Sequence, residues 1–236
     1  MNREQTNRIR FVIEELLPPI LRDSWLFTAL ARLVWGKHID KLADFRMRAP
    51  FLTPQEYESL YKEHPRVHNE TDNSQACIDA IATDLVGDSV CDVGCGTGYL
   101  LRVLAKRRAE IKRRYVGVDF VIPEHFSSEG LEFVRAPIEN LPFADEEFDT
   151  VICTHVIEHI LDYRAALAEL RRITRKRLII VVPREREAIH SFNPHFNFFP
   201  YKHSFLRAIQ PLDREFRCID IGRDIYFTEE KGVPRR

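Results

Sequence analysis

Three of the chain's nine glycines fall within five residues, Gly94-Cys95-Gly96-Thr97-Gly98, and this cluster constrains the fold more than any other feature. A short apolar run of strand character, Ser89-Val-Cys-Asp-Val93, leads into it. Tyr99 to Ala109 follows, with Leu100, Leu101, Val103 and Leu104 at helical spacing. Glycine at a strand-to-helix turn lets the backbone approach a ligand closely, and the helix start offers N–H groups to an anionic group. The alternation continues along the chain. Tyr115-Val-Gly-Val-Asp119, Leu131 to Arg135, Thr150-Val-Ile-Cys-Thr154 and Leu178-Ile-Ile-Val-Val182 read as strands. Asp162 to Ile173 reads as a helix with Ala166, Leu167, Leu170 and Ile173 on one face. Phe216 to Ile221 and Asp224 to Phe227 flank Gly222 as a hairpin. Parallel strands need crossovers, so the expected class is α/β: a mostly parallel seven-stranded sheet with helices on both faces. The hairpin would add an antiparallel strand near one edge.

Residues 1–75 read differently and form an expected helical N-terminal extension to the domain of residues 76–236. Phe11 to Leu17 is a short helical pattern ended by Pro18-Pro19. Ile20 to Trp35 is a longer one, with Ile20, Leu21, Trp25, Leu26, Leu30, Leu33 and Val34 on a broad apolar face. A further helix is expected over Gln55 to Glu63, and His64 to Ser74 reads as a loop. Hydrophobic residues at 44% and charged residues at 30% fit an ordered globular protein. Thirty-five Lys and Arg against thirty-six Asp and Glu give a formal charge of −1, which argues against a chain built to bind polyanions. The five cysteines are odd in number and lack paired CxxC spacing, so free thiols in a reducing cytoplasm are expected. No apolar signal core precedes Phe11. The longest apolar-leaning stretch, Ser24 to Gly36, is too short to span a bilayer.

The spacing of the glycines narrows the ligand. A dinucleotide fingerprint is G-x-G-x-x-G, and its third glycine would fall on Tyr99; the order here is G-x-G-x-G. Twenty-one residues beyond Gly98 a strand ends in Asp119, placed to accept hydrogen bonds from ribose hydroxyls. VCDVGCGTGYL, YVGVD and APIENLPFADEEFDTVICTHVIEH together resemble the motifs of class I S-adenosylmethionine-dependent methyltransferases, especially those acting on small molecules. The resemblance covers roughly residues 75–228. It implies a Rossmann-like sheet, S-adenosylmethionine as cofactor and methyl transfer to a small or medium-sized metabolite. It also implies that Gly94, Cys95, Gly96 and Gly98 line the methionine moiety and that Asp92 anchors the loop or reaches the amino end. Asp119 would bind ribose, Phe120 would lie along the adenine, Ile138 and Glu139 would sit at its edge, and Thr154 and His155 would close the site near the sulfonium. Two departures stand out. Pro137 occupies the position where the family often has an acidic acceptor for the adenine amino group. Only eleven residues separate Asp119 from Leu131, leaving room for one helical turn at most.

His155-Val-Ile-Glu-His159 formally matches H-x-x-E-H, whose histidines would share a helix face and permit a metal. It directly follows an apolar strand in a βα repeat, and no metal is expected. His155 is the candidate catalytic base, and His159 is read as structural. A base is needed for a hydroxyl acceptor and not for an amine with a free lone pair. His190 and His195 are runners-up. The segment Ile189 to Ile209 carries six aromatic side chains, and His195, Phe199 and Tyr201 are the expected substrate contacts. The basic clusters Lys106 to Arg114 and Arg171 to Arg177 fall at helix C-termini, where cations complement the macrodipole, so nucleic acid is disfavoured as a partner. The N-terminal helices would form a lid or substrate cap, a dimer surface or a peripheral membrane contact. A monomer or homodimer is expected. Rival functions are a non-catalytic S-adenosylmethionine-binding interaction subunit and a nicotinamide-dependent oxidoreductase.

Overall fold

Side chains that alternate between two buried faces of the central strands explain the architecture seen in the computed structural model, which describes residues 17–35, 45–53, 55–57, 59, 71–107, 113–122, 130–187, 194–211 and 214–232. In β1 (Ser89–Val93), Val90 packs with one apolar cluster while Cys91 and Val93 pack with another. The same division holds in β5 (Thr174–Pro183). Leu178, Ile180 and Val182 face one side and Ile179 and Val181 the other. Strands apolar on both faces require cover on both faces. One cover comes from α4 (Gln75–Asp84) and α5 (Tyr99–Arg107), which supply Ile78, Ile81, Leu101 and Leu104. The other comes from α6 (Tyr163–Ile173) and α7 (Lys202–Ile209), which supply Leu167, Leu170, Phe205 and Ile209.

The remaining strands are β2 (Arg114–Asp119), β3 (Leu131–Arg135), β4 (Phe148–Thr154), β6 (Phe216–Ile221) and β7 (Asp224–Glu230). Their order is β3-β2-β1-β4-β5-β7-β6. Six strands run in one direction, and β7 is inserted antiparallel between β5 and β6, so the sheet is mixed. The winding reverses between β1 and β4, which places a crevice at the C-terminal ends of those two strands. The polar start of β5, Thr174-Arg-Lys-Arg177, lies outside the run legible in the sequence. It continues directly from α6, and the Thr174 hydroxyl donates to the Leu170 carbonyl at 2.6 Å.

The expected helix over Ile20 to Trp35 is broken. It consists of α1 (Pro19–Arg22) and α2 (Trp25–Trp35), because the Ser24 hydroxyl accepts the Phe27 N–H at 3.3 Å and starts a new helix. Trp25, Leu26, Leu30 and Leu33 on α2 are exposed. A further turn, α3 (Phe45–Arg48), follows. The expected helix over Gln55 to Glu63 is seen at residues 55–57 and 59, and its remainder lies outside the described residues. So do Phe11 to Leu16, most of His64 to Ser74, His190 and the turn expected between Asp119 and Leu131. No described helix is long and apolar enough to cross a membrane. The five cysteines are free thiols, four of them buried.

Candidate functional site

The turn after β1 is built from backbone. Gly94, Gly96 and Gly98 all have positive φ, at 80°, 55° and 66°. At Gly94 an added Cβ would lie 2.1 Å from Val156 Cγ2, so the turn packs directly on the segment after β4. The N–H groups of Gly94 and Cys95 both donate to the Val118 carbonyl, at 2.7 and 2.9 Å. The Gly96 N–H donates to Asp119 Oδ2 at 2.7 Å, and the Val121 N–H to Asp119 Oδ1 at 2.9 Å. Asp119 thus ties the glycine turn to the end of β2. Cys95 turns its thiol into the protein, where the missing side chain of Gly117 makes room for it: a Cβ there would sit 2.8 Å from Sγ. Its contribution to the crevice is backbone.

Asp92 is buried, and its Oδ1 has no hydrogen-bond partner among the described residues. Burial, with a smaller push from the Asp119 carboxylate, raises its pKa to about 7. A carboxylate held this way at the base of a glycine turn is primed for a cationic group.

At the end of β4, the Thr154 hydroxyl accepts from the Asn73 side-chain amide at 2.9 Å. His155 adopts φ 55°, a strained conformation for a residue with a side chain, and its backbone N–H is held by the Val181 carbonyl at 2.9 Å. The helix expected to carry His155 and His159 on one face does not form. The left-handed residue at His155 breaks it, and only a short 3-10 turn, Ile157–His159, follows. His155 Nε2 is buried without a hydrogen-bond partner among the described residues. His155 Nδ1 lies 3.6 Å from Glu158 Oε1, beyond hydrogen-bond reach, so the two interact through charge. Burial favours the neutral imidazole, but the Glu158 and Asp224 carboxylates outweigh it and raise the His155 pKa. Glu158 is itself fully buried. Burial pushes its pKa up, yet the surrounding imidazoles hold it below the ordinary value. For His159, burial and then the neighbouring His195 lower the pKa to about 4.

The segment after β5 brings His195 to this place. The Phe196 and Asn197 N–H groups donate to the Glu158 carbonyl at 2.7 and 3.1 Å, and the Asn197 amide reaches the Ile157 and Ile160 carbonyls. His195 and His159 meet edge to face, 4.5 Å between ring centroids, and His195 Nδ1 lies 2.6 Å from Glu185 Oε2. His159, read from the sequence as structural, is therefore grouped with Glu158 and His195. Their ligand-type atoms all lie within 4.8 Å of one another. Glu158 and Glu185 were missed by the sequence reading. The first was visible inside the His155–His159 motif; the second gave no signal, because its partner is ten residues away across an irregular segment.

Other expected contacts fall elsewhere. Phe199, an expected substrate contact, is 4% exposed and packs edge-on to Phe205. Tyr201 is about half exposed at the start of α7, stacked on His203. Ile138 is buried with the core, Glu139 is exposed, and Phe120 is half-buried beyond β2. From the N-terminal part, the Tyr57 hydroxyl donates to the His159 carbonyl at 2.8 Å, and Arg22 donates to the Glu187 carbonyl at 3.1 Å. The second basic cluster is engaged internally: Arg171 with Glu229, Arg172 with Glu169, Arg175 with Asp149 and Arg177 with Glu230.

Residues 91–182 match a family model described as a methyltransferase domain. A tRNA U34 carboxymethyltransferase of Campylobacter hominis is 34% identical over 96 residues, 37% of this chain and 33% of that protein. A phthiotriol/phenolphthiotriol dimycocerosates methyltransferase of Mycobacterium tuberculosis is 35% identical over 106 residues, 41% of this chain and 37% of that one. The matched stretch thus spans about a third of each of these relatives. The solved structure of a SAM-dependent methyltransferase from Aquifex aeolicus shares the fold, with a TM-score of 0.52 at 16% identity over 76% of this chain and 98% of that one.

Proposed function

We propose that this chain, whose residues 91–182 match a methyltransferase domain, is a class I S-adenosylmethionine-dependent methyltransferase that methylates a small or medium-sized metabolite. The observation that carries the reading is the positive-φ glycine turn, tied to Asp119 and set beside the buried Asp92 oxygen that lacks a partner. The cofactor supplies a methyl group on a positively charged sulfur, already activated for transfer. Asp92 balances positive charge at its amino end. An ionised carboxylate has about four acceptor sites, so Asp119 keeps capacity for ribose hydroxyls beyond the two N–H groups it already holds. Gly94, Cys95, Gly96 and Gly98 line the methionine portion with backbone, Phe120 and Ile138 give apolar surface to the adenine, and Glu139 lies at its edge. Pro137 offers no side-chain acceptor there, so adenine recognition rests on backbone groups and Glu139.

Thr154 and His155 close the site at the end of β4. In this reading His155 receives the acceptor's proton at Nε2, with Glu158 beside Nδ1 orienting the ring and offsetting the charge it gains. Residues 1–75 act as a cap over this end of the sheet, a role supported by the reach of Tyr57 to His159 and of Arg22 to Glu187. The two relatives named above are named for different acceptors, tRNA U34 and phthiotriol/phenolphthiotriol dimycocerosates, so acceptor class rests on this chain's own site. Incubation with methyl-labelled donor and fractionated metabolites tests the proposal. Label entering a small molecule is expected; tight cofactor binding with no label moved would replace it with a binding subunit. His155→Ala should lower turnover far more than affinity for S-adenosylhomocysteine, and equal losses would make His155 part of the wall.

A further inference from the structure

We propose that Glu158, His159 and His195 form a binding site for one divalent transition-metal ion, with zinc as its simplest occupant. One ligand-type atom from each lies within 4.8 Å of the others. A carboxylate with two imidazoles is a donor set that zinc accepts while keeping a fourth position open. Metal-ligand bonds of about 2.0–2.1 Å would require the three side chains to close in by roughly an ångström.

Each imidazole is already oriented for the task. His159 Nδ1 lies 3.0 Å from the Pro194 carbonyl, and His195 Nδ1 lies 2.6 Å from the Glu185 carboxylate. Acceptors at Nδ1 put the proton there and the lone pair on Nε2, which is the outer arrangement that metal-binding histidines need. Glu158 is divided in the same sense. Its Oε1 faces His155, while its Oε2 is buried without a hydrogen-bond partner among the described residues. A negative oxygen kept from water and from donors is costly unless a cation joins it. The hydrogen bonds from Phe196 and Asn197 to the Glu158 carbonyl lock the two contributing segments together, so the cluster is preorganised rather than assembled from mobile loops. Glu158 also serves His155 through Oε1 in the methyl-transfer reading, but zinc uptake is read without turnover, so the two can fail separately.

The test uses the full chain stripped with a chelator and titrated calorimetrically with zinc chloride alone. One equivalent should bind. His195→Gln should weaken that binding at least about 100-fold, and Glu185→Gln, which acts on His195 through its outer nitrogen, by about 10–100-fold. Circular dichroism checks that each variant is folded. Zinc-edge anomalous diffraction from wild-type crystals should show a peak between Glu158, His159 and His195, and this arm stands even where a variant does not fold. No stoichiometric uptake, a peak at surface histidines only, or unchanged affinity in folded variants would overturn the proposal.

Discussion

Asp92 shows how one buried atom links stability to ligand. Its carboxyl titrates near 7 in the folded protein, against an ordinary value of about 3.9 in an unfolded chain. The folded state therefore holds the proton over the intervening range. The stability contributed is complete below about pH 4 and is lost as pH rises through 7. Asp92→Asn removes this dependence, so the fall in melting temperature from pH 5 to pH 8 should be smaller in the variant. An equal fall would show that Asp92 ionises freely. Asp119 is an acceptor already organised by two N–H groups. Asp119→Ala should weaken S-adenosylhomocysteine about 100-fold by calorimetry, a loss of two charge-assisted hydrogen bonds at about 1.5 kcal/mol each. Both acids were legible in the sequence, because strand ends and a glycine turn fix their positions within a few residues. Phe199 was not. An aromatic in an irregular segment turns inward or outward according to what it meets, and here Phe205 of a later helix claims it.

At the scale of elements, the glycine turn and the segment after β4 form one unit. Gly94→Ala would force a side chain onto φ 80° and into Val156, so a loss of about 3 kcal/mol or more in denaturant unfolding is expected. Adding Val156→Ala should restore part of that loss, since it relieves the collision and leaves the backbone strain. Strands and helices of the sheet were readable from apolar runs and helical spacing, because burial on two faces leaves so clear a pattern. The segment from His155 to His159 was misread as helix. Its letters suit one, but the backbone turns left-handed at His155, where tertiary packing overrides local preference. The break at Ser24 is the reverse case, since a capping hydroxyl was present in the sequence and went unused.

Across the whole molecule, the mixed sheet is fastened at the end away from the crevice by side chains drawn from distant segments. Glu229 on β7 is buried and receives Arg171 from α6 at 2.7 Å and Arg214 at 2.6 Å. Removing one member of such a group strands the others, so Glu229→Ala should cost about 3 kcal/mol by urea unfolding, with the cofactor site intact. The Tyr226 hydroxyl donates to Asp84 at 2.7 Å, and Arg217 pairs with the same carboxylate, joining β7 and β6 to the end of α4. The seven strands and the antiparallel pair were foreseeable, but not that β7 lies inside β6, because a hairpin can dock by either of its strands. That placement has a consequence during synthesis. Of the seven strands described in the sheet, the stretch from 224 to 230 leaves the ribosome after the other six, yet it fills an interior slot. Until it arrives, β5 presents a bare, greasy flank to any neighbouring chain, and a stalled or clipped product should clump rather than persist as a smaller folded body.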